Sequence, residues 1–147
     1  MNNYQDGKSK QNESLDFTRM KIHELIQFAV EHQTEMDVCG LEAEEILAKV
    51  TSGQTLIEPR PYGFAFLEVQ RAPEGLIPHL WLLYLDPEKR GKGLGARFVK
   101  ELLRQFPAYH MSLYCHSPRR RKFFSRFGFR IESREGQMRR MTTNPTP

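Results

Sequence analysis

The chain is poor in cysteine and contains no long apolar run. Its two cysteines, Cys39 and Cys115, are far apart in the sequence and form no CxxC pair, which favours a reduced intracellular protein over a disulfide framework. No stretch of about eighteen apolar residues is present and the N-terminal segment is polar, so neither a membrane helix nor a signal peptide is indicated. We therefore expect a cytoplasmic protein that binds neither a membrane nor a metal ion.

Internal repeats and long linkers are also missing, which limits the number of domains. With 147 residues, the chain is long enough to bury a sizeable core as one domain. Residues 1–14 are polar and predict a disordered N-terminal tail. Residues 15–143 are assigned to a single domain.

Positive charge is scarce in the first half of the chain and negative charge in the second. Residues 1–85 hold 7 Lys and Arg against 13 Asp and Glu, whereas residues 86–147 hold 15 against 5. Six of the basic residues form what we call the Arg119–Arg130 basic face: Arg119, Arg120, Arg121, Lys122, Arg126 and Arg130. Such asymmetry usually indicates an anionic partner, and a nucleic acid is one candidate. A solvated helix face is an equal alternative.

Residues 82–106 hold the most informative pattern of the chain. An apolar run ends at Asp86-Pro87, a glycine-rich basic loop follows over 90–95, and an amphipathic run then extends to Phe106. A strand, a glycine-rich loop and a helix in this order can aim backbone N–H groups at a phosphate. The dinucleotide motif GxGxxG is not matched, because the third glycine comes one position early, and the P-loop motif is absent.

The loop does match R-x-x-G-x-G, through Arg90, Gly93 and Gly95. In this position it resembles the pyrophosphate loop of the GCN5-related N-acetyltransferases (GNAT). Further along, Phe123-Phe124-x-x-Phe127-Gly128-Phe129 is similar to the F-Y-x-x-x-G-F signature of the same family. The resemblance implies an α/β (α+β) fold with a mixed, mostly antiparallel central sheet. That sheet splays between its fourth and fifth strands, and about four helices flank it.

The order of the predicted elements agrees with this family. In the strand over 62–70, Phe64 and Phe66 share one side, and Ala65 and Leu67 the other. Only Ser14–Phe17 could supply the family's opening strand, so that strand is expected to be short or missing. Helices are predicted over 18–33, 41–51, 94–106 and 118–127. Strands are predicted over 54–58 (stopped by Pro59 and Pro61), 62–70, 76–85, 109–115, 128–133 and 137–142.

The chemistry implied by the resemblance is transfer of an acetyl group from acetyl-coenzyme A to a primary amine in a ternary complex. The family pattern assigns donor-binding roles to one strand end, the loop and the start of a later helix. The residues at these positions are Leu83, Tyr84, Leu85, Arg90, Gly91, Lys92, Gly93, Leu94, Gly95, Ser117, Arg120 and Phe124. Arg97 is a further candidate for the phosphates.

The catalytic groups are less well indicated, because the sequence departs from the family pattern. Phe124 stands where the family often has a tyrosine acid, and a phenyl ring donates no proton. Ser117 replaces the usual asparagine of that helix, and Arg120 a small residue. The proton could come from Ser125, Tyr114, Cys115, His116 or water.

Two residues are candidates for the general base. His79 has an ordinary pKa suited to the role, and Glu68 could act through a water. Each also has a bland interpretation, as a solvent-exposed strand residue.

Two other classes of function stay open at this point. The Arg119–Arg130 basic face could bind a nucleic acid, a ribosome or an acidic protein. Alternatively, the missing tyrosine at Phe124 would fit a catalytically silent acyl-coenzyme A-binding module. The acceptor amine and the oligomeric state cannot be inferred from the sequence.

Overall fold

A computed structural model describes residues 15–32, 43–53, 55–73, 75–107, 109–136 and 138–144. Within them, six strands form one sheet in the order β1-β2-β3-β4-β6-β5, flanked by helices. The helices are α1 (Ile22–Glu31), α2 (Ala43–Thr51), α3 (Leu94–Gln105) and α4 (Pro118–Ser125). The strands are β1 (Thr55–Arg60), β2 (Gly63–Ala72), β3 (Gly75–Leu85), β4 (Ser112–Cys115), β5 (Arg130–Glu135) and β6 (Met138–Thr142).

All neighbouring strands are antiparallel except β3 and β4, which are parallel. This confirms the predicted mixed, mostly antiparallel sheet. The predicted opening strand falls partly outside the described residues, which begin at Leu15. Phe17–Arg19 forms a short 3-10 helix. The predicted tail over 1–14 lies outside the described residues.

Helix α1 packs against the sheet through one apolar face. Leu25 and Ala29 are buried, and the Glu24 side chain accepts a hydrogen bond from the Lys21 backbone N–H at the start of the helix. The helical spacing of Ile22, Leu25 and Ala29 predicts that all three share this face, but for Ile22 the prediction is wrong, since 61% of its surface is exposed. Ile22 is the first residue of the helix and lies where the chain enters from the preceding 3-10 turn.

Strand β1 is longer than predicted because Pro59 does not end it. Pro59 lies inside β1 and pairs with Phe64 of β2. A proline has no N–H to donate, but β1 is the edge of the sheet, where one side of the strand needs no partner. Pro59 therefore interrupts no ladder, and the strand continues to Arg60.

The sheet is buried on both faces, and β2 contributes to both cores. Ala65 and Leu67 pack with α3, whose buried residues include Phe98 and Leu102. Phe64 and Phe66 pack on the opposite face, with α1 and α2. The predicted division of this strand into two apolar sides is confirmed. We call these the α3 core and the α1/α2 core.

No helix in the described part of the chain is both long and apolar enough to cross a membrane. The longest, α3, has 12 residues and carries charged side chains on its exposed face. Helix α4 is short and strongly basic, and it ends before Gly128, whose φ is +91°.

The start of β2 lies directly against the end of β3. Gly63 pairs with Leu85, and the Asp86 N–H donates to the Tyr62 carbonyl over 2.9 Å. A Cβ atom on Gly63 would overlap the backbone carbonyl of Tyr84. Only glycine permits this approach, which fixes where β3 ends and the glycine-rich loop begins.

Gly63→Ala should therefore destabilise the protein by about 1–3 kcal/mol, because the clash is with backbone that cannot move aside. Gly95→Ala is the matched control. Its Cβ would lie 2.9 Å from Leu85 Cδ1, the end of a side chain that can rotate away. Since alanine favours helices, this change should be close to neutral. Urea unfolding followed by Trp81 fluorescence measures both, and equal stability of the two variants would contradict the argument.

Candidate functional site

The sheet opens between β3 and β4. These strands pair only through His79 with Ser112 and Leu80 with Leu113. Beyond these two pairs, the ends of the strands diverge. The predicted splay between the fourth and fifth strands, which are β3 and β4 here because the family's opening strand is not counted, is thus confirmed.

A β-bulge in β3 lies at the point of divergence. Leu80 pairs with Leu67 and Leu82 pairs with Phe66, so Trp81 is the extra residue. Because of the bulge, Leu80 belongs to the α3 core and Leu82 to the α1/α2 core, although they are two residues apart. The bulge turns the end of β3 away from β4.

A cavity of about 370 Å³ occupies the resulting gap. Leu83, Leu85 and Arg90 line it on the β3 side, and Tyr114 and Ser117 on the β4 side. The remaining lining residues are Leu80, Trp81, Leu82, Leu113, Arg119, Arg120, Phe123 and Phe124. The lining of the cavity is therefore mostly apolar, and it includes three arginines, Arg90, Arg119 and Arg120.

The glycine-rich loop connects the end of β3 to α3. Gly91 and Gly93 both have φ of +79°. Gly93 is the N-cap of α3, so no side chain there bonds the first N–H groups of the helix. A Cβ on either glycine would meet no atom within 4 Å, so space lies open in front of the loop. The first turn of a helix leaves its N–H groups without helical partners, so the loop presents donors and partial positive charge to that space.

Arg90 fixes the loop to the sheet. Its Nε donates to the Leu85 carbonyl over 3.0 Å, and its guanidinium lies 5.8 Å from the centre of the Tyr84 ring. Lys92 is exposed, and Leu94 packs on the α3 core. The Tyr84 ring is buried in the α1/α2 core and does not line the cavity. For Tyr84, only a backbone role at the gap is compatible with the structure.

Helix α4 begins at the same cavity. Ser117 caps it by accepting a hydrogen bond from the Arg120 N–H, at 3.4 Å. Arg119 and Arg120 then line the cavity. The Arg119–Arg130 basic face is therefore divided, because Arg126 lies away from the cavity, with its guanidinium 5.2 Å from the Phe123 ring centre.

His79 is not the exposed strand residue that one interpretation expected. Its side chain is fully buried, and its Nδ1 lies 2.6 Å from Ser112 Oγ. Its Nε2 has no hydrogen-bond partner among the described residues. Burial, and then the charge of Arg140, lowers the pKa of His79 from 6.5 to about 3. The imidazole is neutral at any pH near neutrality.

Glu68 lies on β2, where it pairs with His79 of β3, and it is also mostly buried. Its carboxylate accepts hydrogen bonds from Lys49 Nζ at 3.0 and 3.2 Å, and from Gln70 and Trp81 at 3.1 Å each. Burial raises the pKa of Glu68, but these hydrogen bonds together lower it by more than burial raises it, so the net shift of the pKa is downward. Glu68 is thus a carboxylate stabilised in its charged form by hydrogen bonds within the protein, which makes it a weak base.

The four candidates for proton donor lie in different surroundings. Tyr114 lines the cavity, with its ring centre 5.1 Å from that of His79. Ser125 is exposed on α4, and its hydroxyl donates to the Lys122 carbonyl. Cys115 is buried and His116 exposed, and neither lines the cavity. Of the four, only Tyr114 lines the cavity.

Three residues of the site were not singled out from the sequence. Trp81 lies in an apolar run, which predicts core packing, yet it lines the cavity and donates a hydrogen bond to Glu68. Ser112 orients His79, and Lys49 reaches Glu68 from α2. No local pattern marks Ser112 or Lys49, because their partners are 33 and 19 residues away. In the part of the chain that the structure describes, no three His, Cys, Asp or Glu residues could jointly hold a metal.

Comparison with solved structures finds this fold in acetyltransferases. The PaiA N-acetyltransferase of Thermoplasma acidophilum, in complex with coenzyme A, has a TM-score of 0.60 at 20% identity, covering 90% of this chain and 99% of that one. The Escherichia coli ribosomal-protein-S18-alanine N-acetyltransferase has 0.63 at 12% identity, covering 87% and 92%. Arabidopsis thaliana Naa50, in complex with the bisubstrate analogue CoA-Ac-MVNAL, has 0.60 at 14% identity, covering 88% and 97%.

Comparison of the sequence with curated proteins finds no match. A family model does match, over residues 42–131, and its description is acetyltransferase (GNAT) domain. The matched segment includes the divergent strands, the glycine-rich loop and helices α3 and α4. The chain therefore belongs to the GNAT acetyltransferase family.

Proposed function

We propose that the protein transfers an acetyl group from acetyl-coenzyme A to a primary amine, by direct attack in a ternary complex. The cavity between β3 and β4 supports this most strongly. It is a narrow apolar gap along an unpaired strand end, with Arg90, Arg119 and Arg120 on its lining. Such a gap fits a pantetheine arm, and guanidinium groups fit phosphates. Coenzyme A in the Thermoplasma relative is consistent with this assignment.

The contacts of Arg90 refine the donor-binding roles. Since Arg90 Nε already bonds the Leu85 carbonyl, that carbonyl is engaged within the protein. The backbone of Leu83 is then the better candidate to pair with pantetheine. The Nη groups of Arg90 are left for the pyrophosphate, together with the N–H groups of Gly91 to Gly95. Lys92 and Arg97 are exposed nearby and add positive charge.

In the proposed reaction the amine nitrogen attacks the thioester carbonyl. The N–C bond forms, the C–S bond breaks, the nitrogen loses a proton and the sulfur leaves as a thiolate, which takes a proton. Because the thioester is already activated, the protein need form no covalent intermediate. Its tasks are to orient the two substrates and to move the two protons.

His79 and Glu68 are the candidates to receive the amine proton. Neutral His79 offers a ring nitrogen, Nε2, that no described residue uses. Its low pKa makes it a weak acceptor by itself. We therefore propose that the acceptor enters largely as the free amine and that its proton passes to water, because Nε2 of His79 is itself buried and His79 does not line the cavity. Glu68 is held by three donors and serves to position Trp81 and Lys49.

Tyr114 is our choice for the group that protonates the thiolate. Phe124, at the family's usual tyrosine position, also lines the cavity but has no proton to give. Among the described residues, Tyr114 is the one tyrosine that lines the cavity. A silent binding module is the alternative, and turnover distinguishes the two. A nucleic-acid partner for the Arg119–Arg130 basic face gains no support from the relatives.

Arg90→Ala should weaken acetyl-coenzyme A binding by roughly tenfold to a hundredfold, because it removes charged hydrogen bonds to phosphate. Arg104→Ala is the matched control, since Arg104 is an exposed arginine in the last turn of α3, far from the loop. Isothermal calorimetry measures both. Equal affinities of the two variants would remove the loop from the donor site, and no binding by the wild type would overturn the proposed function.

Tyr114→Phe should lower kcat by about a hundredfold, the low end of general-acid effects, because a thiolate needs modest help to leave. Its acetyl-coenzyme A affinity should stay within about twofold, since binding does not use the hydroxyl. Tyr109→Phe, at an exposed tyrosine, should match the wild type. Release of free thiol reports the rate. Full activity of Tyr114→Phe would show that another group or water supplies the proton.

The buried neutral state of His79 predicts a dependence of stability on pH. Its folded pKa, about 3, is below the unfolded value of 6.5, so the unfolded chain binds the extra proton between these values. Unfolding free energy should therefore fall as the pH drops below about 6.5. From about pH 7 to about pH 5.5, the wild type should lose about 1 kcal/mol more than His79→Asn. Urea unfolding at both pH values tests this, and equal losses would mean that His79 is protonated in the folded state.

A further inference from the structure

The acceptor must approach the cavity from the α1/α2 face of the sheet. Leu80, Leu113 and Phe124 belong to the α3 core and close the other side. Trp81 and Tyr114 are the cavity residues whose rings contact His79, on the face that Lys49 of α2 reaches. An amine that meets the donor must therefore pass the rings of Trp81 and Tyr114.

Two cations lie over these two rings. Lys49 Nζ is 4.8 Å from the centre of the Trp81 ring, and the Arg140 guanidinium is 5.7 Å from that of Tyr114. Arg140 is on this face because it pairs with Tyr114 across β4 and β6. Both charges are thus placed where the acceptor enters.

The two cations differ in how well they are neutralised. Lys49 makes two short bonds to the Glu68 carboxylate, at 3.0 and 3.2 Å. Arg140 has only Glu132, at 3.9 Å, as an ion-pair partner in the described part of the chain, and it makes no hydrogen bond there through its side chain. The Arg140 side chain is 18% exposed, whereas that of Glu132 is 54% exposed. An enclosed guanidinium with so little pairing is available to a ligand.

We propose that Arg140 binds a carboxylate on the acceptor, so that the substrate is an amine carrying a carboxylate close by, as in an amino acid. This inference rests on the proposed acetyltransferase function and names its substrate class. A guanidinium binds a carboxylate through two parallel hydrogen bonds, which would fix the position of the neighbouring amine.

The surrounding charges suit this substrate better than a polyamine. Neutral His79 adds no positive charge, and the Lys49–Glu68 pair is balanced. Arg140 therefore leaves a local positive potential that attracts an anionic group and repels a second ammonium. The same potential favours loss of the proton from the substrate's ammonium, which the reaction requires.

The test compares amino acids with their own amides, which keep the amine and lack the charge. A panel with varied side chains, together with spermidine, is assayed by thiol release from acetyl-coenzyme A. We expect the best amino acid to exceed its amide in kcat/KM by roughly tenfold to a hundredfold. Arg140→Gln should remove this preference without changing acetyl-coenzyme A affinity.

Arg139→Gln is the matched control, because Arg139 lies next in the strand and bonds the Gly136 and Met138 carbonyls. It should keep the preference. The inference is overturned if the amides or spermidine are acetylated as well as the amino acids, or if Arg140→Gln still prefers the amino acids. Either result leaves the acetyltransferase function intact. Where the wild type binds no acetyl-coenzyme A, the proposed function itself fails.

Direct binding decides the inference independently of turnover. The same acid and amide pairs are titrated into the protein saturated with coenzyme A and followed by calorimetry. Tighter binding of the acid that disappears in Arg140→Gln supports the proposal. Equal binding of acid and amide overturns it, whatever the rate assay gives.

Discussion

The short parallel pairing of β3 and β4 is the constraint on which the rest of the site depends. It lasts for two residue pairs, and the β-bulge at Trp81 then turns β3 away. A longer ladder would satisfy more backbone groups but would close the gap. The sheet instead leaves a strand end open to a ligand, which can pair with backbone as an extra strand would.

Both ends of this gap are held by specific contacts. At the pairing end, the buried His79–Ser112 bond joins the two strands through their side chains as well as their backbones. At the open end, the approach of Gly63 to β3 and the Arg90–Leu85 bond fix the loop. The edges of the gap are therefore fixed by contacts within the protein, and a ligand need not order them on binding. Pre-formed sites of this kind lose less binding free energy to ordering.

The sequence allowed the loop, the helices and most strands to be predicted, because these depend on local patterns. Gly91 and Gly93 have the positive φ that only a glycine-rich turn tolerates well, and α3 follows a regular apolar period. The length of β1 was missed because the tolerance for Pro59 depends on its place at the sheet edge. That place is set by strand order, which no local window contains.

The surroundings of the polar residues of the site could not be predicted for a related reason. The bulge at Trp81 lies inside a continuous apolar run from Leu80 to Leu85, where no alternation exists to be broken. His79 was a sound candidate by residue type, but its burial follows from the register with Ser112. Arg140 was one of many basic residues in the second half of the chain. Only the pairing of β4 with β6 distinguishes it from Arg139.

The position of Phe124 bears on where the proposed reaction finds its proton donor. Phe124 is buried and packs edge-on against Phe129, with ring centres 5.6 Å apart, so the position serves the α3 core. A hydroxyl there would need a partner or a route to the cavity. Tyr114 lies on β4, beside the point where the strands diverge, and its ring lines the cavity and contacts His79. In the reaction that we propose, a proton donor on that strand acts where the two substrates meet, and the packing of α4 is then free to be purely apolar.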